Sequence, residues 1–127
     1  MPLPWAGEAT PFEFGPEGSH PWLPQPASWR TLTAQAEARD PGSMLSLYRA
    51  ALRIRREHPG LATDAFRWLP GPDGTLLFER GGGLRCAVNL STRSIDLPPD
   101  ARVVVASAQL DGHALSPDGA AWFERPA

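Results

Sequence analysis

Lysine is missing from the 127 residues: all 12 of the basic side chains other than histidine are arginine, and the formal net charge is −2. A balance so close to neutral offers no general attraction to nucleic acid or to an anionic membrane, so neither is expected as a partner. Cysteine occurs once, as Cys86, which excludes an internal disulfide. No stretch approaches the roughly 20 apolar residues that cross a bilayer. The N-terminus has neither the basic region nor the apolar run of a secretory signal, so a cytoplasmic location is expected. The three histidines, His20, His58 and His113, stand far apart with no zinc-ligand spacing around them. No metal and no cofactor are expected.

What is present is globular in composition, with 42% hydrophobic and 20% charged residues, and the length suits one ordinary domain. Three regions differ in pattern. From Met1 to about Thr33 the chain is rich in proline and tryptophan, with no helical or strand period, and reads as a long loop. Loops of that length usually serve a function or pack on something larger. Trp5, Phe12, Phe14, Trp22 and Trp29 sharpen the point, because each large ring costs about 1.5–3 kcal/mol to leave in water.

A helix is expected next, from Asp40 or Pro41 to Glu57, with Asp40 as its cap and Pro41 in the first turn. Met44, Leu45, Tyr48, Ala51, Leu52 and Arg55 recur at steps of three and four, widened by Leu47 and Ile54, and form an apolar stripe that needs a partner. Arg53, Arg55 and Arg56 fall in the last turn, where cations oppose the helix dipole, and Pro59-Gly60 ends the helix.

From Ala65 onward the period changes to alternation. Strands are expected at Ala65–Leu69, Thr75–Arg80, Leu84–Leu90, Arg93–Leu97, Arg102–Ala108 and Ala120–Arg125, joined by turns at Pro72-Asp73-Gly74, Gly81-Gly82-Gly83, Asp111-Gly112 and Asp118-Gly119. In the third of them Leu84, Cys86, Val88 and Leu90 alternate with Arg85, Ala87 and Asn89, which predicts Cys86 as an inward, inert packing residue. The fold class is therefore α+β, with a small antiparallel β domain at its end.

None of the 14 carboxylates asks for a catalytic role. Asp40 reads as a cap, Asp73, Asp111 and Asp118 as turn formers, and Glu79 and Glu124 as outward strand residues. Glycoside hydrolysis needs two carboxyls about 5–5.5 Å apart in a retaining enzyme, one tuned as acid, and no such pair is expected here. The glycine run joins two strands rather than opening a helix, so it lacks the amide cluster that cradles phosphate. Asn89-Leu90-Ser91 matches a glycosylation acceptor without a secretory context.

Pro2-Leu3-Pro4-Trp5, Phe12, Pro21-Trp22-Leu23-Pro24, Gln35, Asp40, Ser43, Leu47-Tyr48-Arg49, Leu52 and Arg55, followed by a short β domain, resemble the end of α-glucosidases of the α-amylase superfamily, glycoside hydrolase family 13. The order and spacing cover nearly the whole chain. The resemblance implies that residues 1–60 are the remnant of a catalytic (β/α)8 barrel, its last long loop and final helix, and that residues 61–127 are the C-terminal antiparallel β domain. It implies that the family's three catalytic carboxylates precede the Pro-x-Pro-Trp segment, so no catalytic residue is carried over. Trp5 and Phe12 sit where the family's loop borders the sugar-binding cleft, which implies substrate contact in an intact enzyme. The implied partners are an α-glucoside or malto-oligosaccharide and the missing barrel domain. Leu32-Thr33 stands where the family often has Asn-Val or Ser-Val. A non-catalytic carbohydrate-binding module that stacks sugars on tryptophan, and a subunit that docks through its helix, are the alternatives.

Overall fold

The computed structural model describes residues 2–16 and 18–125; Met1 and Ala127, the outer limits of the two expected regions, lie outside the described residues. The chain forms two compact units, Met1–Arg49 and Ala50–Ala127. The class is α+β, with an antiparallel sheet of five strands.

The first unit begins with the expected irregular segment, but its last part, Ala27–Leu32, winds into a 3-10 turn and is followed by a short helix α1, Ala34–Glu37. Thr33 caps α1, its Oγ1 accepting from the Ala36 N–H at 3.1 Å, and only 1% of its surface is exposed. The main helix α2 runs Met44–Glu57, so it starts later than the proline pattern suggested. The Ser43 hydroxyl, not the Asp40 carboxylate, takes the cap, accepting from the Ser46 N–H at 3.1 Å. Asp40 closes a turn just before it, with Oδ1 accepting from the Gly42 N–H at 2.8 Å. Glu37 Oε2 accepts from the Leu45 N–H at 3.0 Å, so a second free amide of the first turn is satisfied from α1.

In the second unit β1 (Phe66–Trp68), β2 (Thr75–Arg80), β3 (Leu84–Asn89), β5 (Arg102–Ala106) and β7 (Ala120–Glu124) form one antiparallel sheet in the order β1-β2-β3-β7-β5. β4 (Ile95–Asp96) and β6 (Ala114–Leu115) pair separately as a two-stranded ribbon. Leu115 and the adjacent Leu97 pack on Ala87, Ala121 and Phe123 and make the core of this unit. The apolar residues of β3 were expected on its Leu84-Cys86-Val88 side. The other side is buried as well: Ala87 is 1% and Asn89 0% exposed, because the ribbon covers them. The ribbon buries the face of the central strands that meets it; on the other face Leu84 and Cys86 are 2% and 6% exposed.

Candidate functional site

Two surfaces carry chemistry, one in each unit. In the first, Trp5 is held by its backbone from both directions. Its N–H donates to the Phe12 carbonyl at 2.8 Å, and its own carbonyl accepts from the Gln35 N–H at 2.9 Å at the start of α1. The Ala6 N–H also donates to Phe12, at 3.1 Å. Phe12 and Glu13 adopt positive φ, 51° and 55°, which turns the chain back so that this carbonyl meets two donors.

The structure thus brings the two sequence-implied residues together, with different exposure: the Trp5 ring is 52% exposed, whereas Phe12 is 1% exposed and acts as the packed base of the turn. The most exposed ring of the unit is Trp22, at 94%, which borders an apolar hollow of about 220 Å³ with Pro2, Phe14, Pro21 and Leu23. On α2, Met44, Tyr48 and Leu52 are exposed at successive four-residue steps while Leu47, Ala51 and Ile54 are partly covered. The stripe read from the sequence is therefore split, and part of it faces water.

In the second unit two glutamates sit between basic partners. Glu79 lies between Arg67 and Arg85, with 2.8 Å to each guanidinium. Glu124 accepts from His58 Nε2 at 2.7 Å and from Arg102. The other ring nitrogen of His58, Nδ1, accepts from the Gly60 N–H at 3.1 Å, so the neutral ring carries its proton on Nε2 and donates it to the carboxylate. Both glutamates, expected as outward strand residues, are in fact the centres of these clusters, with side chains 20% and 23% exposed.

Hydrogen bonds from Arg67 and then Arg85 hold the Glu79 carboxyl below its ordinary range. His58 and then Arg102 do the same for Glu124, and Arg125 for Asp100. A general acid at neutral pH needs the opposite shift. Burial pushes the Cys86 thiol up to about 11, which keeps it a thiol and agrees with the packing role expected of it. Among the described residues no three His, Cys, Asp or Glu side chains come together in a way that could hold a metal, and no helix is long and apolar enough to cross a membrane.

The direction of these shifts predicts the acid response. A carboxyl whose folded value is depressed stabilises the fold fully above its unfolded value, ordinarily 4.5 for glutamate, and that contribution is lost as pH falls through the lower folded value. Circular dichroism across an acid titration should show the β domain losing stability only below about pH 4.5 through these groups. Glu124→Gln should flatten that part of the profile, with the effect reduced by the partial exposure of its partners. An unchanged profile in Glu124→Gln and Glu79→Gln would rule this out.

The remaining face of the sheet carries three aromatic rings in mutual contact: Phe66 and Trp68 meet edge to face at 5.0 Å, and Phe78 stacks on Phe66 at 5.2 Å. Phe66 and Trp68 are 45% and 61% exposed. On the opposite face, between β2 and the segment 91–98, lies a cleft of about 410 Å³ with Leu77, Ala87, Ile95 and Phe123 in its lining. Neither feature was legible as a site, since the aromatic cluster depends on the β1–β2 register and the cleft on how residues 91–98 lie against the sheet.

Residues 62–122 match the family described as "Domain of unknown function (DUF3459)". No curated protein sequence matches the chain significantly. Among solved structures, the α-glucosyl transfer enzyme XgtA is 26% identical with a TM-score of 0.70, the match covering 99% of this chain and 25% of that one. Bacillus licheniformis trehalose-6-phosphate hydrolase (TreA) is 17% identical with a TM-score of 0.73, over 100% of this chain and 26% of that one. A family GH13_31 enzyme is 23% identical with a TM-score of 0.73, over 98% and 24%. The chain spans about a quarter of the length of these carbohydrate-processing enzymes. With the DUF3459 match at residues 62–122, the chain resembles in fold and extent the C-terminal part of enzymes of the α-amylase superfamily, glycoside hydrolase family 13.

Proposed function

We propose that this chain is the C-terminal portion of an α-glucosidase-like glycoside hydrolase and has no catalytic residues of its own. Residues 1–60 are then the remnant of the catalytic barrel, and residues 61–127 its C-terminal β domain. The observation that carries the reading is the span of the match: nearly all of this chain aligns with about a quarter of each larger enzyme. The exposed Met44, Tyr48 and Leu52 on α2 support it, since a stripe of that kind is covered when the remainder of a barrel is present. In the intact enzyme the partner of this surface is the barrel domain, and the substrate is an α-glucoside or malto-oligosaccharide. Trp5 contacts the sugar, and Phe12 shapes the loop that presents it. The single buried thiol fits a reducing, cytoplasmic compartment.

The carboxylates support the same reading from chemistry. Among the described residues, the three whose proton affinity is displaced, Glu79, Asp100 and Glu124, are all held in the ionised direction by basic partners, so none of the three is tuned to protonate a leaving oxygen. Incubating the purified chain with p-nitrophenyl α-glucoside and with maltose should release no product above buffer. Turnover by the pure chain that disappears on changing one of its own carboxylates would overturn the proposal. One observation favours a second reading, a non-catalytic carbohydrate-binding module or docking subunit: Trp22, 94% exposed, is a ring free to stack on a sugar or a partner.

A further inference from the structure

We propose that the cleft in the β domain between β2 and the segment 91–98 is a carbohydrate-binding site that takes a neutral oligosaccharide of the α-glucan class. The substrate class rests on the function proposed above; the site itself rests on the geometry of the cleft. The β4–β6 ribbon has two strands and the sheet beneath it five, so the ribbon cannot cover the whole face. Where it leaves β2 uncovered a space of about 410 Å³ opens, within the size range that holds a small organic ligand.

The lining has the two halves that a pyranose requires. Its floor is aliphatic, with Leu77, Ala87 and Ile95, a surface on which the C–H face of a sugar ring loses water at little cost. Its rim holds Asp73, Arg93 and Asp96, all exposed. Among the described residues the side chains of these three make no hydrogen bond or ion pair, Arg93 being engaged only through its backbone. Carboxylates accept in pairs and a guanidinium donates in a fork, and adjacent sugar hydroxyls present both functions at once.

The mixed signs decide between ligand classes. Asp73 and Asp96 disfavour a phosphate or carboxylate ligand, and Arg93, with Arg85 deeper in the lining, disfavours an ammonium. A neutral polyol offers donors to the carboxylates and acceptors to the guanidinium without bringing a charge that meets its like.

The test is a titration of the isotope-labelled 127-residue chain with maltotriose, followed by amide chemical shifts. The expected result is saturable movement at Thr92, Ser94, Ile95 and Asp96, with affinity reduced about tenfold or more in Arg93→Gln and in Asp96→Asn, each of which removes charge-assisted hydrogen bonds. Both positions are exposed, so the variants keep the core intact. No movement, movement confined to residues around Trp5 and Trp22, or unchanged affinity in both variants would overturn the site. The proposed hydrolase origin is judged by turnover and not by these shifts, so the two readings fail separately.

Discussion

Asn89→Ala should cost the β domain about 3 kcal/mol, because four backbone or side-chain groups on three residues lose a buried amide at once. Asn89 is 0% exposed. Its Nδ2 donates to the carbonyls of Arg93 at 2.8 Å and Leu115 at 3.0 Å, and its Oδ1 accepts from the Ser91 N–H at 3.1 Å and the Ser91 hydroxyl at 2.7 Å. One side chain therefore ties the end of β3 to the turn after it and to β6 in the covering ribbon. Alanine removes all four bonds: the Leu115 carbonyl is left buried without its donor, at about 1–3 kcal/mol before relaxation, while Ser91 and Arg93, partly exposed and bonded to each other, recover part of theirs. Asn89→Asp should be no milder, since it replaces the nitrogen that donates both bonds by an oxygen facing two carbonyls. Ser91→Ala, which leaves the two donor bonds in place, should cost only about 1 kcal/mol. Urea denaturation followed by tryptophan fluorescence measures all three, and an Asn89→Ala variant within about 0.5 kcal/mol of the parent would refute the keystone role. The same contacts close the Asn89-Leu90-Ser91 acceptor motif in the folded chain, since both amide hydrogens of Asn89 are engaged.

Local patterns predicted the parts of the fold that local forces decide. β2 was expected at Thr75–Arg80 and is found there, because alternation and the flanking Asp73-Gly74 turn agree. β3, β5 and β7 end one or two residues early, where pairing and not propensity sets the limit. The start of α2 was misplaced because Asp40, Pro41 and Ser43 all favour a helix start. What decides among them is the Glu37 carboxylate reaching Leu45, together with Asp40 being occupied by Gly42. β6 went unrecognised, and β4 shrank to two residues. A two-residue strand has no period to detect, and both exist because Ile95 and Leu115 meet across a separation of 20 positions.

The candidate sites followed the same division. Trp5 and Phe12 were legible through the resemblance of the surrounding Pro-x-Pro-Trp segment, and the structure joins them through the Phe12 carbonyl. That Phe12 is packed goes with the positive φ at Phe12 and Glu13, a conformation that phenylalanine and glutamate adopt rarely and that nothing in their identities announces. The pairing of Glu79 with Arg67 and Arg85 follows from register: Arg67, Glu79 and Arg85 are cross-strand neighbours on β1, β2 and β3. Such ladders become visible only once the strand order is known.

Gly60→Ala should be comparably damaging, for a steric reason. A Cβ on Gly60 would fall inside the van der Waals sphere of the Gly81 carbonyl oxygen, with the Gly81 carbonyl carbon at 2.7 Å and His58 Nδ1 at 3.0 Å. The obstacle is backbone, so no rotamer relieves it, and the turn Pro59–Leu61 must separate from the loop Gly81–Gly83. That movement takes the Gly60 N–H away from His58 and with it the orientation of the ring that donates to Glu124. The expected loss is about 3 kcal/mol, at the upper end of what overpacking costs, or a fall in Tm of about 4–8 °C for each kcal/mol in a unit of this size. Gly83→Ala provides the contrast: it meets nothing within 4 Å and has a φ of 76°, so only backbone strain of about 1 kcal/mol applies. If close approach is the cause, Gly60→Ala exceeds Gly83→Ala by a wide margin and also flattens the acid profile that depends on Glu124. Equal losses in the two variants, with the acid profile intact, would mean that the two loops are free to move apart and that the His58–Glu124 contact survives without their close packing.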